Sequence, residues 1–106
     1  MIAIGLMSGT SGDGIDAAAI ELDVPATAVR VLATASQRFD DAVRAAILAL
    51  GEGGAIDARA LARLHGALGE RYATVAERIV AGLAARPDVI AIHGQTIAHL
   101  PHDGVT

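Results

Sequence analysis

The chain has 106 residues, of which 53% are hydrophobic and 19% are charged, and its formal net charge is −4. This apolar content is too high for a disordered segment and predicts a packed core of single-domain size. The acidic balance and the aromatic content of only 2% argue against a nucleic-acid-binding module, which needs a basic surface and often stacking rings.

Two residue types are missing from the chain. Cysteine is absent, which removes disulfides, thiolate nucleophiles and cysteine-based zinc sites. All eight basic residues are arginine, so the lysine of a Walker A loop, a Schiff-base enzyme or a protein kinase strand is absent too. No secretory signal is visible, and no apolar stretch reaches the roughly 18–20 residues that span a bilayer. We therefore expect a soluble, cytoplasmic protein.

The first third of the chain predicts three short strands. Apolar runs over residues 2–7 and 15–22 are separated by a segment that ends in the turn-forming pair Asp13-Gly14. A further turn is predicted at residues 24–27, before a strand over residues 29–35. That strand is expected to have one wetter face, because it alternates between two sets of residues: Val29, Val31 and Ala33 against Arg30, Leu32 and Thr34. Tight turns between successive strands favour an antiparallel meander.

Two helices are predicted next. The first has Asp40 as its N-cap and ends at Gly51, and the second follows the N-cap candidate Asp57. The second helix is amphipathic, with one apolar face: Leu61, Leu64, Leu68, Tyr72, Val75, Ile79 and Leu83. Gly66 and Gly69 lie within it, and we interpret them as sites of close packing on a sheet.

A fourth strand is predicted over residues 89–92, after Pro87 ends the second helix. The strand is apolar throughout, so we expect it to be buried on both faces. Because it follows a crossover helix, it should lie parallel to an earlier strand, most simply the first. The predicted fold is therefore α/β, with three antiparallel strands followed by helices and a parallel strand.

The segment from Gly5 to Asp16 carries glycines, hydroxyl side chains and two carboxylates around the junction between two apolar strands. Its glycines let backbone N–H groups approach an anion, and its hydroxyls add hydrogen-bond donors. An aspartate beside phosphates commonly holds Mg²⁺ through water. The glycine spacing differs from that of dinucleotide-binding loops, and a strand follows instead of a helix. A plain hairpin turn is the alternative, although the Ser8–Ser11 stretch exceeds what a two-residue turn needs.

A second polar segment, His93-Gly94-Gln95-Thr96, directly follows the fourth strand. If that strand lies parallel to the first, both polar segments leave the carboxyl edge of one sheet and are neighbours. The alternative is a strand-to-turn junction in which His93 only satisfies backbone groups. A metal site built from His93, His99, His102 and Asp103 is disfavoured, because their spacing fits no standard ligand pattern.

These two segments resemble the motifs of the anhydro-N-acetylmuramic acid kinase family. Gly5-Leu6-Met7-Ser8-Gly9-Thr10-Ser11-Gly12-Asp13-Gly14-Ile15-Asp16 is similar to the family's N-terminal G-x-M-S-G-T-S-x-D-G-x-D signature, and His93-Gly94-Gln95-Thr96 is similar to its HGQT motif. The segment Leu64–Gly69 also resembles the family. Gly12 departs from the pattern, because the family usually carries a larger apolar residue there, and a looser loop is expected.

The resemblance covers the whole chain and implies both a fold and a position within a longer protein. The family belongs to the actin-like and sugar-kinase superfamily, whose members have two lobes with ATP between them. Residues 1–106 are thus expected to form the N-terminal part of a first, ribonuclease-H-like lobe. The family's catalytic aspartate follows its HGQT motif. No residue here matches it, so we expect that residue beyond Thr106 and interpret the chain as a fragment.

The resemblance also implies the site residues. The hairpin that binds the ATP phosphates comprises Gly9, Thr10, Ser11, Gly12, Asp13, Gly14, Ile15 and Asp16, with Asp13 reaching Mg²⁺ through water. The sugar pocket includes His93, Gln95 and Thr96. The implied cofactors are ATP and Mg²⁺, and the implied partner is a small-molecule amino sugar, with no nucleic acid or membrane. A homodimer of the full-length protein stays open.

The implied reaction uses ATP and water to open the bridge of 1,6-anhydro-N-acetylmuramic acid and to phosphorylate its O6. The product, N-acetylmuramic acid 6-phosphate, belongs to peptidoglycan recycling. Two alternatives stay open. One is another sugar or acetate kinase, against which the HGQT motif argues. The other is a non-catalytic nucleotide-binding or interaction module, such as a degenerate kinase half.

Overall fold

The computed structural model describes residues 1–23, 25 and 27–105. These form a four-stranded sheet with the order β3-β2-β1-β4 and two helices. The elements are β1 (Ile2–Ser8), β2 (Gly14–Leu22), β3 (Val29–Arg38), α1 (Asp41–Gly51), α2 (Ala58–Ala81) and β4 (Val89–Gln95). The first three strands are antiparallel, and β4 lies parallel to β1. The predicted α/β architecture of three antiparallel strands, helices and a parallel strand is confirmed, and it is consistent with a partial ribonuclease-H-like lobe.

The turn between β1 and β2 lies earlier than predicted. The N–H of Gly12 donates to the carbonyl of Gly9 at 3.1 Å, so the turn is centred on Thr10 and Ser11 and not on Asp13-Gly14. Gly12 has φ +61° and is buried, and a Cβ there would lie 3.1 Å from Ile47 Cγ2. The glycine therefore lets the turn pack closely on α1, which does not match the expected loosening.

The Asp23 side chain bridges the connection between β2 and β3 by hydrogen bonds. Its carboxylate accepts hydrogen bonds from the Ala28 N–H at 2.6 Å and the Thr27 hydroxyl at 2.8 Å. The Ala28 bond, followed by the Thr27 bond, lowers the pKa of the Asp23 carboxyl. Of the turn predicted at residues 24–27, Val24 and Ala26 lie outside the described residues.

A β-bulge in β3 overturns the predicted alternation. Ala19 pairs with Ala33 while Ile20 pairs with Val31, so Leu32 is an extra residue in the ladder. One extra residue reverses the face of every side chain beyond it. Leu32 and Ala33 therefore both pack on the core, while Val31 is 62% exposed. The predicted alternation, in which Val29, Val31 and Ala33 share one face of the strand, is therefore wrong.

Both predicted helix N-caps are confirmed. The carboxylate of Asp40 accepts from the Val43 N–H at 3.0 Å, and that of Asp57 accepts from the Ala60 N–H at 2.8 Å. The helices pack on the face of the sheet that carries the alternate apolar residues of β1 and β2. The buried core consists of Ile4, Leu6, Ile15, Ala17, Ala19, Phe39, Val43, Ile47, Leu64, Tyr72, Val75 and Ile79.

The glycines of α2 do not mark close packing. Gly66 and Gly69 are both exposed, and a Cβ built at either position would meet no heavy atom within 4 Å. The interpretation of these glycines as packing sites is therefore wrong. Their cost to helix propensity is offset by the packing of the apolar face formed by Leu64, Tyr72 and Val75.

The prediction that β4 is buried on both faces is also wrong. The strand lies at the edge of the sheet, and Val89, Ile90 and Ile92 are 45%, 45% and 56% exposed. Helix α2 packs over β1, β2 and β3, which leaves an apolar groove between α2 and β4. Apolar sequence alone cannot distinguish an edge strand from a central one.

In the described part of the chain, no helix is both long and apolar enough to cross a membrane.

Candidate active site

The two polar segments meet at one edge of the sheet, as predicted. Because β1 and β4 are parallel neighbours, their carboxyl ends lie side by side, and Ser8 pairs with Gln95. The Gln95 side chain joins the segments directly, since its Nε2 donates to the carbonyls of Gly9 and Thr96, both at 2.8 Å. One amide therefore ties the turn after β1 to the residues that follow β4.

A cleft of ≈320 Å³ opens between the β1–β2 turn, the end of α1 and the residues after β4. Each segment contributes one threonine hydroxyl, from Thr10 and Thr96. The complete lining is Thr10, Ile47, Leu48, Gly51, Glu52, Thr96, Ile97, Ala98 and His99. Two threonines and an apolar wall, with Glu52 and His99 also lining the cleft, suit a small polar ligand with some hydrophobic surface.

The exposed part of the turn has the donors that an anion needs. Thr10 and Ser11 are exposed, and no hydrogen bond among the described residues uses their backbone N–H groups. Their two hydroxyls lie on the same turn. Successive N–H groups in a turn form a concave binding surface for phosphate oxygens, so these residues fit a phosphate.

Asp13 lies in a separate shallow depression of ≈280 Å³, which Ser11, Asp16 and Arg38 also line. Its carboxylate is 3.3 Å from Arg44 Nε, and the two side chains are 57% and 46% exposed. Residues 1–23, 25 and 27–105 contain no group of three or more metal-ligating side chains, so no all-protein metal cage is present there. Magnesium that is held mainly by phosphates needs only one or two carboxylates, so an accessible Asp13 fits such a role.

The structure separates some of the predicted site residues from the cleft. Asp16 accepts a short hydrogen bond from Ser36, and it faces the open side of the sheet beside Met7. His93 lines the same open face, with its Nδ1 3.2 Å from the carbonyl of Gly94. The Ile15 side chain is only 1% exposed and belongs to the core, so it offers a ligand nothing but its backbone.

Gly14 has a structural reason to be glycine. It pairs with Arg38 across β2 and β3, and a Cβ at this position would lie 2.3 Å from the carbonyl oxygen of Gln37. Real Cβ atoms do not approach oxygen so closely, so the pairing of the two strands requires glycine here.

Two polar residues that sequence reasoning left out of the site lie directly beneath it. The Ser8 and Tyr72 hydroxyls are 2.5 Å apart, and the two residues are 1% and 4% exposed. Ser8 belongs to the first segment, but Tyr72 sits on α2, where its spacing indicates only a core position. The available signal was chemical, since a buried tyrosine hydroxyl usually has a hydrogen-bond partner.

Comparison with known proteins identifies the family to which the chain belongs. The family model described as anhydro-N-acetylmuramic acid kinase matches residues 1–106, which is the whole chain. The chain belongs to the anhydro-N-acetylmuramic acid kinase family. Membership confirms the resemblance that the two motifs carry.

Curated anhydro-N-acetylmuramic acid kinases give the same result. The protein of Acidiphilium cryptum is 45% identical over 107 residues, which cover 95% of this chain and 28% of the relative. That of Acidithiobacillus ferrooxidans is 43% identical over 101 residues, covering 95% and 25%. That of Acaryochloris marina is 41% identical over 106 residues, covering 98% and 28%. The chain thus spans between 25% and 28% of the length of these anhydro-N-acetylmuramic acid kinases.

Proposed function

We propose that the full-length protein is an ATP-dependent kinase that acts on 1,6-anhydro-N-acetylmuramic acid. It opens the anhydro bridge with water and phosphorylates O6, which yields N-acetylmuramic acid 6-phosphate for peptidoglycan recycling in the cytoplasm. In this proposal, residues 1–106 are the N-terminal part of the first lobe. They contribute the hairpin that binds the ATP phosphates and part of the sugar pocket.

The observation that carries the proposal is the contact between the two family motifs. The Gln95 Nε2 donates to the Gly9 carbonyl at 2.8 Å, which places the HGQT segment against the glycine-rich turn. A phosphotransfer site must hold a phosphate donor and an acceptor hydroxyl side by side, because catalysis of this reaction is mostly positioning and electrostatic stabilisation. One sheet edge that carries both motifs supports that juxtaposition.

The residues of this chain then have distinct proposed tasks. The N–H and hydroxyl groups of Thr10 and Ser11 donate to phosphate oxygens, and Asp13 orients a water on Mg²⁺. Thr96 offers a hydroxyl that can donate and accept, and Gln95 offers its amide oxygen, which has no partner in the described residues. Neutral groups of this kind read sugar hydroxyl and amide groups. ATP, when bound, supplies the phosphoryl group. The activation of water is assigned to an aspartate outside residues 1–106.

The proposal is tested with the full-length protein, ATP, Mg²⁺ and 1,6-anhydro-N-acetylmuramic acid. We expect ADP release that depends on the sugar, and a product whose mass exceeds that of the anhydro sugar by one HPO₃ unit and one water. Plain N-acetylmuramic acid serves as the control acceptor, since it lacks the anhydro bridge. ATP binding without sugar-dependent ADP release would favour the alternative of a non-catalytic nucleotide-binding module.

A further inference from the structure

A buried polar junction joins three elements directly below the candidate site. The Tyr72 hydroxyl on α2 lies 2.5 Å from Ser8 Oγ at the end of β1, and Ser8 Oγ lies 3.2 Å from the Gly94 carbonyl on β4. Apart from the Tyr72 hydroxyl, Ser8 carries the one polar side chain among the buried residues of the described chain. A buried hydroxyl in an otherwise apolar core is costly unless it is hydrogen-bonded, so the junction is stable only when all three groups are present.

The direction of each hydrogen bond follows from the groups involved. The Gly94 carbonyl can only accept, so Ser8 donates its single hydroxyl proton to it. Ser8 Oγ must then accept from Tyr72, whose O–H is the remaining donor. The result is a one-way chain from the Tyr72 O–H through the Ser8 O–H to the Gly94 carbonyl.

Gly94 lies in the interval where the ladder between β1 and β4 changes register. Leu6 pairs with Ile92, but Ser8 pairs with Gln95, so β4 has one extra residue in this interval. Gly94 has φ +85°, a left-handed backbone conformation that residues other than glycine rarely adopt. Bulges of this kind redirect the side chains that follow them. Here the next side chain is Gln95, whose amide reaches the Gly9 carbonyl at 2.8 Å.

We propose that Tyr72 and Ser8 are positioning residues for the active site, and this inference rests on the proposed function. By fixing the Gly94 carbonyl, they hold the bulge that aims Gln95 at the turn and places Thr96 in the cleft. At 4% and 1% exposure, Tyr72 and Ser8 touch no ligand and act only through Gly94. Helix α2 thereby sets the geometry of the cleft, although none of its residues lines that cleft.

The test compares Tyr72→Phe with Val75→Ala in the full-length protein. Tyr72→Phe keeps the ring in the core and removes only the hydroxyl. Val75 is fully buried on the same helix and has no polar partner, so Val75→Ala weakens packing without touching the junction. We expect Tyr72→Phe to lower kcat by about tenfold, because small displacements of positioning groups are expensive in rate. The KM for ATP should stay within about twofold, and Val75→Ala should leave both constants near wild type.

Hydrogen–deuterium exchange of the same variants provides a readout that does not depend on kinase activity. We expect faster exchange of the amides of residues 93–96 in Tyr72→Phe, and no local change there in Val75→Ala. Equal exchange in the two variants, or a kcat for Tyr72→Phe equal to that of Val75→Ala, overturns the inference. Wild-type protein without kinase activity overturns the proposed function instead, and the exchange comparison then still decides whether Tyr72 holds the bulge.

Discussion

At the scale of single residues, the question is whether the ion pair with Arg44 prevents the Asp13 carboxylate from contacting a bound ligand. The pair is 3.3 Å apart and about half exposed. Ion pairs of this kind contribute about 0.2–1 kcal/mol, because water screens them and two long side chains lose freedom. Contact with Arg44 is thus too weak to keep Asp13 from a ligand on the same turn.

In the full-length protein, Asp13→Asn should raise the Mg²⁺ concentration needed for half-maximal turnover by about tenfold, as losses of outer-sphere metal contacts typically do. The measurement is steady-state turnover over a magnesium titration. Arg44→Gln is the matched control, since it breaks the same ion pair but leaves the carboxylate, and it should not weaken the response to magnesium. A titration curve for Asp13→Asn that overlays the wild type would remove Asp13 from the site.

Thr96 and Gln95 are expected to affect the sugar more than the nucleotide. Loss of one neutral hydrogen bond costs about 0.5–1.5 kcal/mol. The KM for the anhydro sugar should therefore rise by about 2- to 13-fold in Thr96→Val, with ATP affinity unchanged. Gln95→Ala should have a larger effect, because its amide also ties Gly9 to Thr96. If either variant loses nucleotide binding while its sugar affinity is untouched, the assignment of the pocket is wrong.

At the scale of elements, the start of α1 is a charged junction between both helices. The Asp40 carboxylate accepts from the Val43 N–H at 3.0 Å and also from the Arg71 guanidinium on α2. The Val43 bond, followed by the bond from Arg71, lowers the pKa of Asp40 from its usual value of 3.8. The folded state therefore favours the ionised carboxylate.

The sign of the resulting pH dependence follows from that shift. Since the folded state has the lower pKa, the stabilisation by Asp40 is present above pH 3.8 and is lost as the pH falls through the lowered value. Asp40→Asn keeps a capping oxygen but cannot titrate, so it should show a smaller loss of stability on acidification. The free energy of unfolding of the wild type and of Asp40→Asn, measured with denaturant between about pH 6 and about pH 3, tests this difference. Parallel losses in the two proteins would contradict the assignment.

Element-level sequence patterns succeeded where local chemistry is decisive. Asp40 and Asp57 cap their helices because a short carboxylate before an amphipathic run can reach an orphan N–H without help from the rest of the fold. The bulge at Leu32 and the turn at Gly9–Gly12 were missed. Their position depends on strand pairing and on contact with α1, neither of which leaves a clear local pattern.

At the scale of the whole molecule, apolar surface remains uncovered along β4. Ile90 and Ile92 border the groove beside α2, and β4 is one of the two edge strands of the sheet. An exposed apolar edge strand is a template for association with other chains. We expect the isolated 106-residue chain to be poorly soluble and to self-associate.

Analytical ultracentrifugation and thermal scans test this expectation. Ile92→Lys should reduce association, because a charge at a strand edge opposes pairing between chains. Gly66→Ala serves as a control substitution, since position 66 is exposed on α2 away from the groove and has open space around it. A monomeric isolated chain with a sharp, reversible thermal transition would contradict the prediction.

The amino-acid sequence by itself determined the order and type of the elements, the two helix N-caps and the two motifs with their family. These features depend on short-range chemistry or on residue identity. The parallel pairing of β1 and β4 also followed, because a crossover helix between two strands leaves few other arrangements.

The tertiary structure alone decided which surfaces are covered and which side chains of the motifs meet. Thr10 and Thr96 share a cleft, while Asp16 and His93 face the open side of the sheet. The reason is that register, bulges and helix placement depend on contacts between residues far apart in the chain. The hydroxyl of Tyr72 reaches Ser8 across 64 positions, and no local pattern in the sequence records such a contact.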